Sequence, residues 1–331
     1  MTFAPSEVAA SADVFSGDDS GFQVLVRDVL RPAEGIVELR LTCPDGGLLP
    51  AWDPGAHIDI HTGGAVRQYS LCGDHTDRTA WHVGVLRDPQ SRGGSAWVHD
   101  TVGPHDVLRV SAPRNHFRLE KSPRYLFIAG GIGITPIKAM ITQVEREGAE
   151  WTLLYGGRSR SSMAFLDELC GHGDRVIVQP RDETGLLDLP AVLGVPQSDT
   201  LVYCCGPEML LQAVERESMQ WPEGALHIER FAAAAPEISD AGDRPFRVTL
   251  SRLGKTIDVP HDRSILEAVT DAGADVLSSC EDGICGTCMT TVLSGTPDHR
   301  DSVLSAKERT AGDCMLVCVS RAESDELVLD L

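Results

Sequence analysis

Three cysteines fall within nine residues of the stretch SSCEDGICGTCMTTV: Cys280, Cys285 and Cys288, spaced C-x4-C-x2-C. A fourth, Cys318, follows after 29 intervening residues. Thiolates are soft ligands, and three from one tight loop with a fourth from a distant turn is the plant-type [2Fe–2S] pattern. Gly283 and Gly286 let the backbone wrap closely and aim N–H groups at sulfur, which helps set a potential. A structural zinc site is the competing reading. Such sites pair one close cysteine couple with another, and Cys314 with Cys318 could imitate the second couple. Loop, glycines and distant fourth cysteine together favour the cluster and leave Cys314 a buried bystander.

Two further stretches have the shape of phosphate seats. YLFIAGGIGITPI, Tyr125–Ile137, reads as strand, glycine turn and helix. Gly130, Gly131 and Gly133 remove side chains where a dinucleotide pyrophosphate would approach a helix N-terminus. YCCGPEML, Tyr203–Leu210, repeats the strand–turn–helix pattern, and two such crevices at strand ends are where a ligand belongs. Earlier in the chain, RQYSL alternates Arg67 and Tyr69 with Gln68 and Ser70 on the two faces of a strand. Arg67 suits a phosphate. SRGGSAWVHD, Ser91–Asp100, is a glycine turn opening a helix, a second phosphate seat or simply an N-cap by Ser95. His82, His99, His105 and His116 form no metal spacing.

These residues need elements to hold them. From Gly21 to about Leu119, short alternating apolar runs separated by turn clusters predict an antiparallel barrel of roughly six strands. From Lys121, wholly apolar runs (YLFIAGG, WTLLYGG, RVIVQP, TLVYCCG) alternate with helical segments, which predicts a parallel sheet with helices on both faces. AAAAPEISDAGDRP carries breakers and no period, and reads as a linker. The remainder is a small α+β unit that opens on a hairpin and ends on a strand. The expected organisation is thus a tail over 1–20, a barrel over 21–120, an α/β domain over 121–231, a linker over 232–244 and a cluster domain over 245–331.

A chain of 331 residues suits two or three domains, and 42% hydrophobic with 24% charged residues is a globular balance. Net charge of −20 argues against nucleic acid and anionic membrane as partners, while permitting a basic protein surface. No apolar run approaches a membrane span. The first 20 residues lack the features of a signal peptide, so a cytoplasmic protein is expected; a monomer is expected besides. Ten cysteines in such a chain do not suggest a disulfide framework, and five of them lie in the last 52 residues.

The order RQYSL, SRGGS, GGIGITP, CGPEM, C-x4-C-x2-C…C resembles the phthalate dioxygenase reductase family, including vanillate O-demethylase reductases, from about Gly21 to Leu331. The resemblance implies a flavin-binding barrel, a nucleotide-binding α/β domain and a C-terminal plant-type ferredoxin (β-grasp) domain. It implies FMN, NADH and one [2Fe–2S] cluster, with electrons passed to a terminal oxygenase, a Rieske-type enzyme acting on an aromatic compound. Carried over residue by residue, Arg67, Tyr69 and Ser70 match the flavin motif, with Arg67 on the phosphate and Ser70 near the flavin N5. Ser91, Gly93, Gly94 and Ser95 match its phosphate loop. Gly130, Gly131, Gly133, Thr135 and Pro136 match the NAD motif, with Thr135 near the nicotinamide. Cys205, Gly206 and Pro207 match the second nucleotide motif, and Phe231 an aromatic near the flavin. Ser70 and Thr135 would flank the hydride step.

Arg158 and Arg160 depart from an NADH pattern. They follow the second strand of the α/β domain, where an acid would favour NAD and an arginine accommodates the 2′-phosphate of NADPH. A haem monooxygenase is the alternative electron acceptor. From another class, the chain could be a redox sensor or electron carrier that never turns over NADH, and flavin binding with rapid NADH oxidation separates these.

Overall fold

The computed structural model describes residues 21–89, 93–231 and 243–331. The expected tail, Ser91 and all but the last two residues of the expected linker lie outside the described residues.

The alternating runs of the first unit form six strands: β1 (Phe22–Ala33), β2 (Ile36–Thr42), β3 (His57–Thr62), β4 (Ala65–Ser70), β5 (Trp81–Leu86) and β6 (Val107–Val110). They pair antiparallel in the order β4-β3-β6-β1-β2-β5, and a Leu71–Val83 bridge joins the two ends into a barrel. Alternate residues point inward, so Val24, Val26, Leu39, Leu41, Ile58, Ile60, Val83 and Val85 are fully buried. Helix α1 (Gly94–Thr101) follows β5.

The second unit is a five-stranded parallel sheet: β7 (Arg124–Gly130), β8 (Glu150–Gly157), β9 (Val176–Pro180), β10 (Thr200–Cys205) and β11 (Leu226–Glu229). Its helices are α2 (Ile134–Glu147), α3 (Leu166–Cys170), α4 (Arg181–Thr184), α5 (Leu189–Leu193) and α6 (Glu208–Glu217). Strands covered on both faces need no polar alternation, which is why these runs read as wholly apolar. Strand order β11-β10-β7-β8-β9 means that the chain works outward from β7 and then returns to its other side at β10. That reversal opens a crevice at the carboxyl ends of β7 and β10. Strand β11 has no counterpart in the sequence reading, because LHIE mixes polar and apolar residues in four positions.

The third unit contains β12 (Phe246–Leu250), β13 (Lys255–Val259), α7 (Ile265–Asp271), β14 (Met289–Ser294), β15 (Pro297–Asp298), α8 (Ala306–Ala311), β16 (Cys314–Leu316), β17 (Arg321–Ala322) and β18 (Glu326–Leu329). The hairpin β12–β13 takes the terminal strand β18 parallel to β12, giving the mixed sheet β13-β12-β18-β14-β16. Helix α7 starts at a capping box, Ser264 with Glu267. Its buried face, Ile265, Leu266 and Val269, packs on that sheet. Among the described residues no helix is long and apolar enough to cross a membrane.

The units touch one another directly. Lys138 Nζ on α2 donates to the Cys72 carbonyl at 3.1 Å, and Arg146 pairs with Asp74. Ser279, beside the first cluster cysteine, reaches Asp59 of β3 at 2.7 Å.

Candidate functional site

The loop Cys280–Cys288 is held by two glycines in left-handed backbone, Gly283 at φ 72° and Gly286 at φ 71°. Both are also tight places. A Cβ on Gly283 would meet Val319 at 2.6 Å, and one on Gly286 would meet the His116 ring at 2.7 Å. The four thiols gather as two couples. Cys280 interacts with Cys285, and Cys288 with Cys318. Within each couple one thiol keeps its proton and favours the thiolate of the other: Cys280 lowers Cys285 and Cys318 lowers Cys288, while Cys280 and Cys318 are themselves pushed up. Four thiols so placed ionise together only around compensating positive charge.

The pairing favours the cluster reading of the cysteines: two couples side by side suit two irons, each taking two thiolates. Amides are already aimed at the sulfurs: Asp282 N to Cys280 Sγ and Thr287 N to Cys285 Sγ, both at 3.4 Å. Cys314 stays outside, on β16 opposite Thr291.

At the barrel, β3 and β4 pair so that His57 faces Ser70, Ile58 faces Tyr69, Asp59 faces Gln68 and Ile60 faces Arg67. Ser70 and Gln68 therefore share one sheet face, Tyr69 and Arg67 the other. Arg67 donates to the Val66 carbonyl at 2.8 Å and has no carboxylate partner among the described residues. The glycine turn of α1 comes directly to it: a Cβ on Gly94 would lie 2.6 Å from Arg67 Cγ. Gly93, at φ 102°, is the N-cap of α1. An arginine without an acid, beside the start of a helix, fits a phosphate. The Ser95 Oγ accepts from the Asp88 amide at 3.1 Å, which leaves its hydroxyl proton to donate. Ser70 is buried, and burial pushes the Tyr69 phenol up to about 12, so it stays neutral.

The crevice between β7 and β10 opens into a cavity of about 880 Å3, walled by Gly130, Gly131, Gly133, Gly206, Pro207, Arg158 and Phe231 together with Ile36 and Leu86 from the barrel. The three turn glycines do different work. Gly131, at φ 55°, has nothing within 4 Å of its Cβ direction and faces open space. Gly133 is pressed on the Cys205–Gly206 peptide, and a Cβ there would strike the Cys205 carbonyl and lie 2.7 Å from Gly206 N. Gly130 is likewise pressed on Pro207 and Leu210. Two of the three therefore serve the contact between the β7 and β10 turns, rather than clearing room for a ligand.

Thr135 and Pro136 do not line this cavity; they are buried behind it. The Thr135 hydroxyl donates to the Ile132 carbonyl at 2.9 Å, and its methyl abuts Gly84 of β5. Cys205 is fully buried, with Sγ donating to Glu229 Oε2 at 3.8 Å. Although part of Glu229 reaches the surface, its carboxyl has only that weak partner among the described residues, and enclosure pushes it up to about 8. Sequence reading had no route to Glu229, because its neighbourhood depends on the Cys205–Glu229 register of two parallel strands. Arg160, singled out beside Arg158, is taken by Glu183 at 3.0 Å, while Arg181, not singled out, joins Arg158 at the cavity wall.

Comparison with known proteins agrees with this geometry. Residues 248–323 match the family described as "2Fe-2S iron-sulfur cluster binding domain", and 127–174 match "Oxidoreductase NAD-binding domain". The phthalate dioxygenase reductase of Burkholderia cepacia is 39% identical over 95% of this chain and 98% of its own. The chain belongs to the phthalate dioxygenase reductase family. Another family relative, the phenoxybenzoate dioxygenase subunit beta of Ectopseudomonas oleovorans, is 42% identical over 100% of this chain and 98% of its own.

Among solved structures, a phthalate dioxygenase reductase described as modular for electron transfer from pyridine nucleotides to [2Fe–2S] aligns with TM-score 0.68 at 39% identity, covering 94% and 98% of the two chains. An intact type IV self-sufficient cytochrome P450 monooxygenase aligns with TM-score 0.89 at 45% identity, and this chain spans 41% of its length. As a family member the chain is an NAD(P)H-dependent flavin and iron–sulfur oxidoreductase, the reductase component of an oxygenase system. It uses FMN, a [2Fe–2S] cluster and a pyridine nucleotide. The expected cluster, cofactors and three-part fold are borne out.

Proposed function

We propose that this reductase feeds a separate Rieske-type oxygenase or O-demethylase acting on an aromatic compound, from the cytoplasm and as a monomer. The carrying observation is that relatives matched over nearly their whole length are reductase components of oxygenase systems, among them a phthalate 4,5-dioxygenase reductase subunit and a vanillate O-demethylase oxidoreductase, both of Pseudomonas putida. The P450 alignment favours a second reading, a haem monooxygenase as acceptor. Mixing NADH-reduced protein anaerobically with an oxidised Rieske oxygenase and, separately, with a ferric P450 tests the choice. Fast reoxidation by the Rieske protein alone supports the first, and by the P450 alone the second. Neither nucleic acid nor membrane has a part in this reading, and the acidic chain would meet a basic face of its partner.

Each residue group has a task. Arg67 and the start of α1, Gly93 and Gly94, would hold the FMN phosphate, and Ser95 would turn its hydroxyl proton to it; Ser91, expected in the same loop, lies outside the described residues. Tyr69 and Ser70 would border the ring, Ser70 offering its hydroxyl to the ring edge. Flavin supplies the means to join a two-electron donor to a one-electron acceptor. Gly130, Gly131, Gly133, Gly206 and Pro207 shape the nucleotide cavity, and Thr135 with Pro136 fixes the turn from behind. Phe231, 40% exposed, stands at the cavity wall where an incoming ring can displace or stack on it. Cys205 and a neutral Glu229 keep charge out of the strand end. Cys280 and Cys285 would hold one iron, Cys288 and Cys318 the other.

Nucleotide choice follows from two cations. Arg158 and Arg181 both line the cavity and neither is tied to a carboxylate among the described residues, so they can receive a ribose 2′-phosphate. We therefore infer that NADPH is accepted beside NADH. Calorimetric titration with NADP+ and NAD+ checks this. Comparable affinities agree, and no NADP+ binding contradicts it.

A further inference from the structure

The barrel strand that carries the flavin motif and the loop that carries the cluster are joined by a short chain of side chains, and its centre is a buried aspartate. Asp59 lies in the middle of β3 and is 6% exposed. One carboxylate oxygen, Oδ2, accepts the Ser279 hydroxyl at 2.7 Å, across 220 positions of sequence. The other, Oδ1, accepts Gln68 Nε2 at 3.1 Å and lies 2.7 Å from Arg114 Nη2. The Ser111 hydroxyl accepts from the Asp59 backbone amide at 2.9 Å, which fixes the residue from the other side. Gln68 sits between Arg67 and Tyr69, and Ser279 immediately precedes Cys280. Asp59 also shares its sheet face with Ser70, since Asp59 pairs with Gln68 and His57 with Ser70 across β3 and β4.

A buried carboxylate is costly unless paired, and here both oxygens are occupied. Burial works to raise Asp59, but Arg114, Ser279 and Gln68 outweigh it and keep the carboxyl below its ordinary value. Such a group is rigid. It is also the wrong kind of residue for a surface that merely touches its neighbour, because a buried carboxylate stabilises only one arrangement of its partners. A second contact fixes the same face. The His116 ring, 5.9 Å from the His57 ring, fills the space over Gly286 between Cys285 and Cys288, leaving no room for a side chain there. The cluster loop is thus seated on the barrel at two points, one polar and one steric.

We propose that Asp59 is a positioning residue that locks the cluster loop onto the flavin strand, and that the bridge Gln68–Asp59–Ser279 sets the rate of electron passage from flavin to cluster. Tunnelling falls steeply with distance and is faster through bonds and hydrogen bonds than across gaps. Loosening the seat therefore slows that step without touching hydride delivery, which occurs at the nucleotide cavity. The proposal rests on the electron-transfer reading of the family. The unaltered protein tests that reading by itself, since NADH must first bleach the flavin absorbance and then the cluster absorbance.

The variants test the lock. Ser279→Ala removes the donor beside the cluster, Ser279→Thr restores it, and Asp59→Asn keeps the shape on the barrel side while removing the charge. Holoprotein of each is mixed anaerobically with NADH in a stopped-flow instrument. Hydrogen exchange of the β3 amides and of the cluster loop is measured on the same samples. Expected is an unchanged first phase, a second phase slowed at least fivefold in Ser279→Ala and Asp59→Asn, and recovery to within twofold in Ser279→Thr. Faster exchange in the cluster loop should accompany the slowing. Asp59→Asn with Ser279→Ala combined should be no slower than the worse single variant, as for two members of one bridge. Should Ser279→Ala lose iron, Asp59→Asn still decides, because it lies on the barrel. An unchanged second phase with unchanged exchange in Asp59→Asn overturns the proposal. So does equal slowing of both phases, which would mark a general loss of fold.

Discussion

Gly133→Ala tests the reading of the glycine turn most sharply. The added methyl would point at the Cys205 carbonyl and at Gly206 N, 2.7 Å away, and both obstacles are backbone. Neither can rotate aside, so the turns at the ends of β7 and β10 must separate. Overpacking of this kind costs about 1–3 kcal/mol. For a unit of about 110 residues, roughly 3–6 °C of melting temperature goes with each kcal/mol, so about 2 kcal/mol lowers it by roughly 6–12 °C. Gly133 and Gly206 also line the nucleotide cavity, so the same separation distorts the seat. If half of that energy falls on binding, affinity drops roughly fivefold.

Gly131→Ala is the control. Its Cβ meets nothing within 4 Å, and only the left-handed φ of 55° opposes it, about 1–2 kcal/mol. Scanning calorimetry and titration with NAD+ on both variants give the comparison. A Gly133→Ala protein that melts within a degree of the parent and binds NAD+ equally would refute the close-packing argument. So would a Gly131→Ala protein that is the worse of the two.

Three further expectations follow from the site. Arg67→Ala removes a charge-assisted phosphate contact worth about 1.5–3 kcal/mol, so flavin affinity should fall roughly ten- to a hundredfold, seen as flavin lost on gel filtration; full retention contradicts the phosphate role. Cys285→Ser should reduce iron content and abolish cytochrome c reduction while NADH still bleaches the flavin, and surviving cytochrome c reduction would place the cluster off the path. Glu229 is held near 8 against an ordinary 4.5, so between those values the folded chain binds the proton that the unfolded chain releases. Stability should therefore fall as pH rises from about 5 to 8. Glu229→Gln should fall less over that window in melting temperature, and parallel curves would show that the carboxyl is not enclosed.

How far the sequence reached depends on how local each feature is. The cluster loop was legible because three of four ligands and both glycines sit within nine residues, and metal chemistry tolerates few alternatives there. The barrel and parallel sheet were legible because burial on one face or on two leaves different hydrophobic periods. What escaped was set by long-range register. Glu229 meets Cys205 only through the pairing of β10 with β11, a strand too short and polar to show a period. The partner of Arg160 is 23 positions away on α4, and the partner of Asp59 is 220 positions away. Gly130 and Gly133 could be recognised as necessary from the sequence, but the reason, contact with Cys205, Pro207 and Leu210, required the second turn in place.

The central claim is that one chain carries electrons from a pyridine nucleotide through flavin to a cluster held by Cys280, Cys285, Cys288 and Cys318. The most direct test is the anaerobic visible spectrum of the purified protein during titration with NADH and then NADPH. A flavin band over a broad red-brown iron–sulfur envelope, both bleaching as nucleotide is added, is the predicted result. A cluster envelope that neither nucleotide bleaches would contradict it.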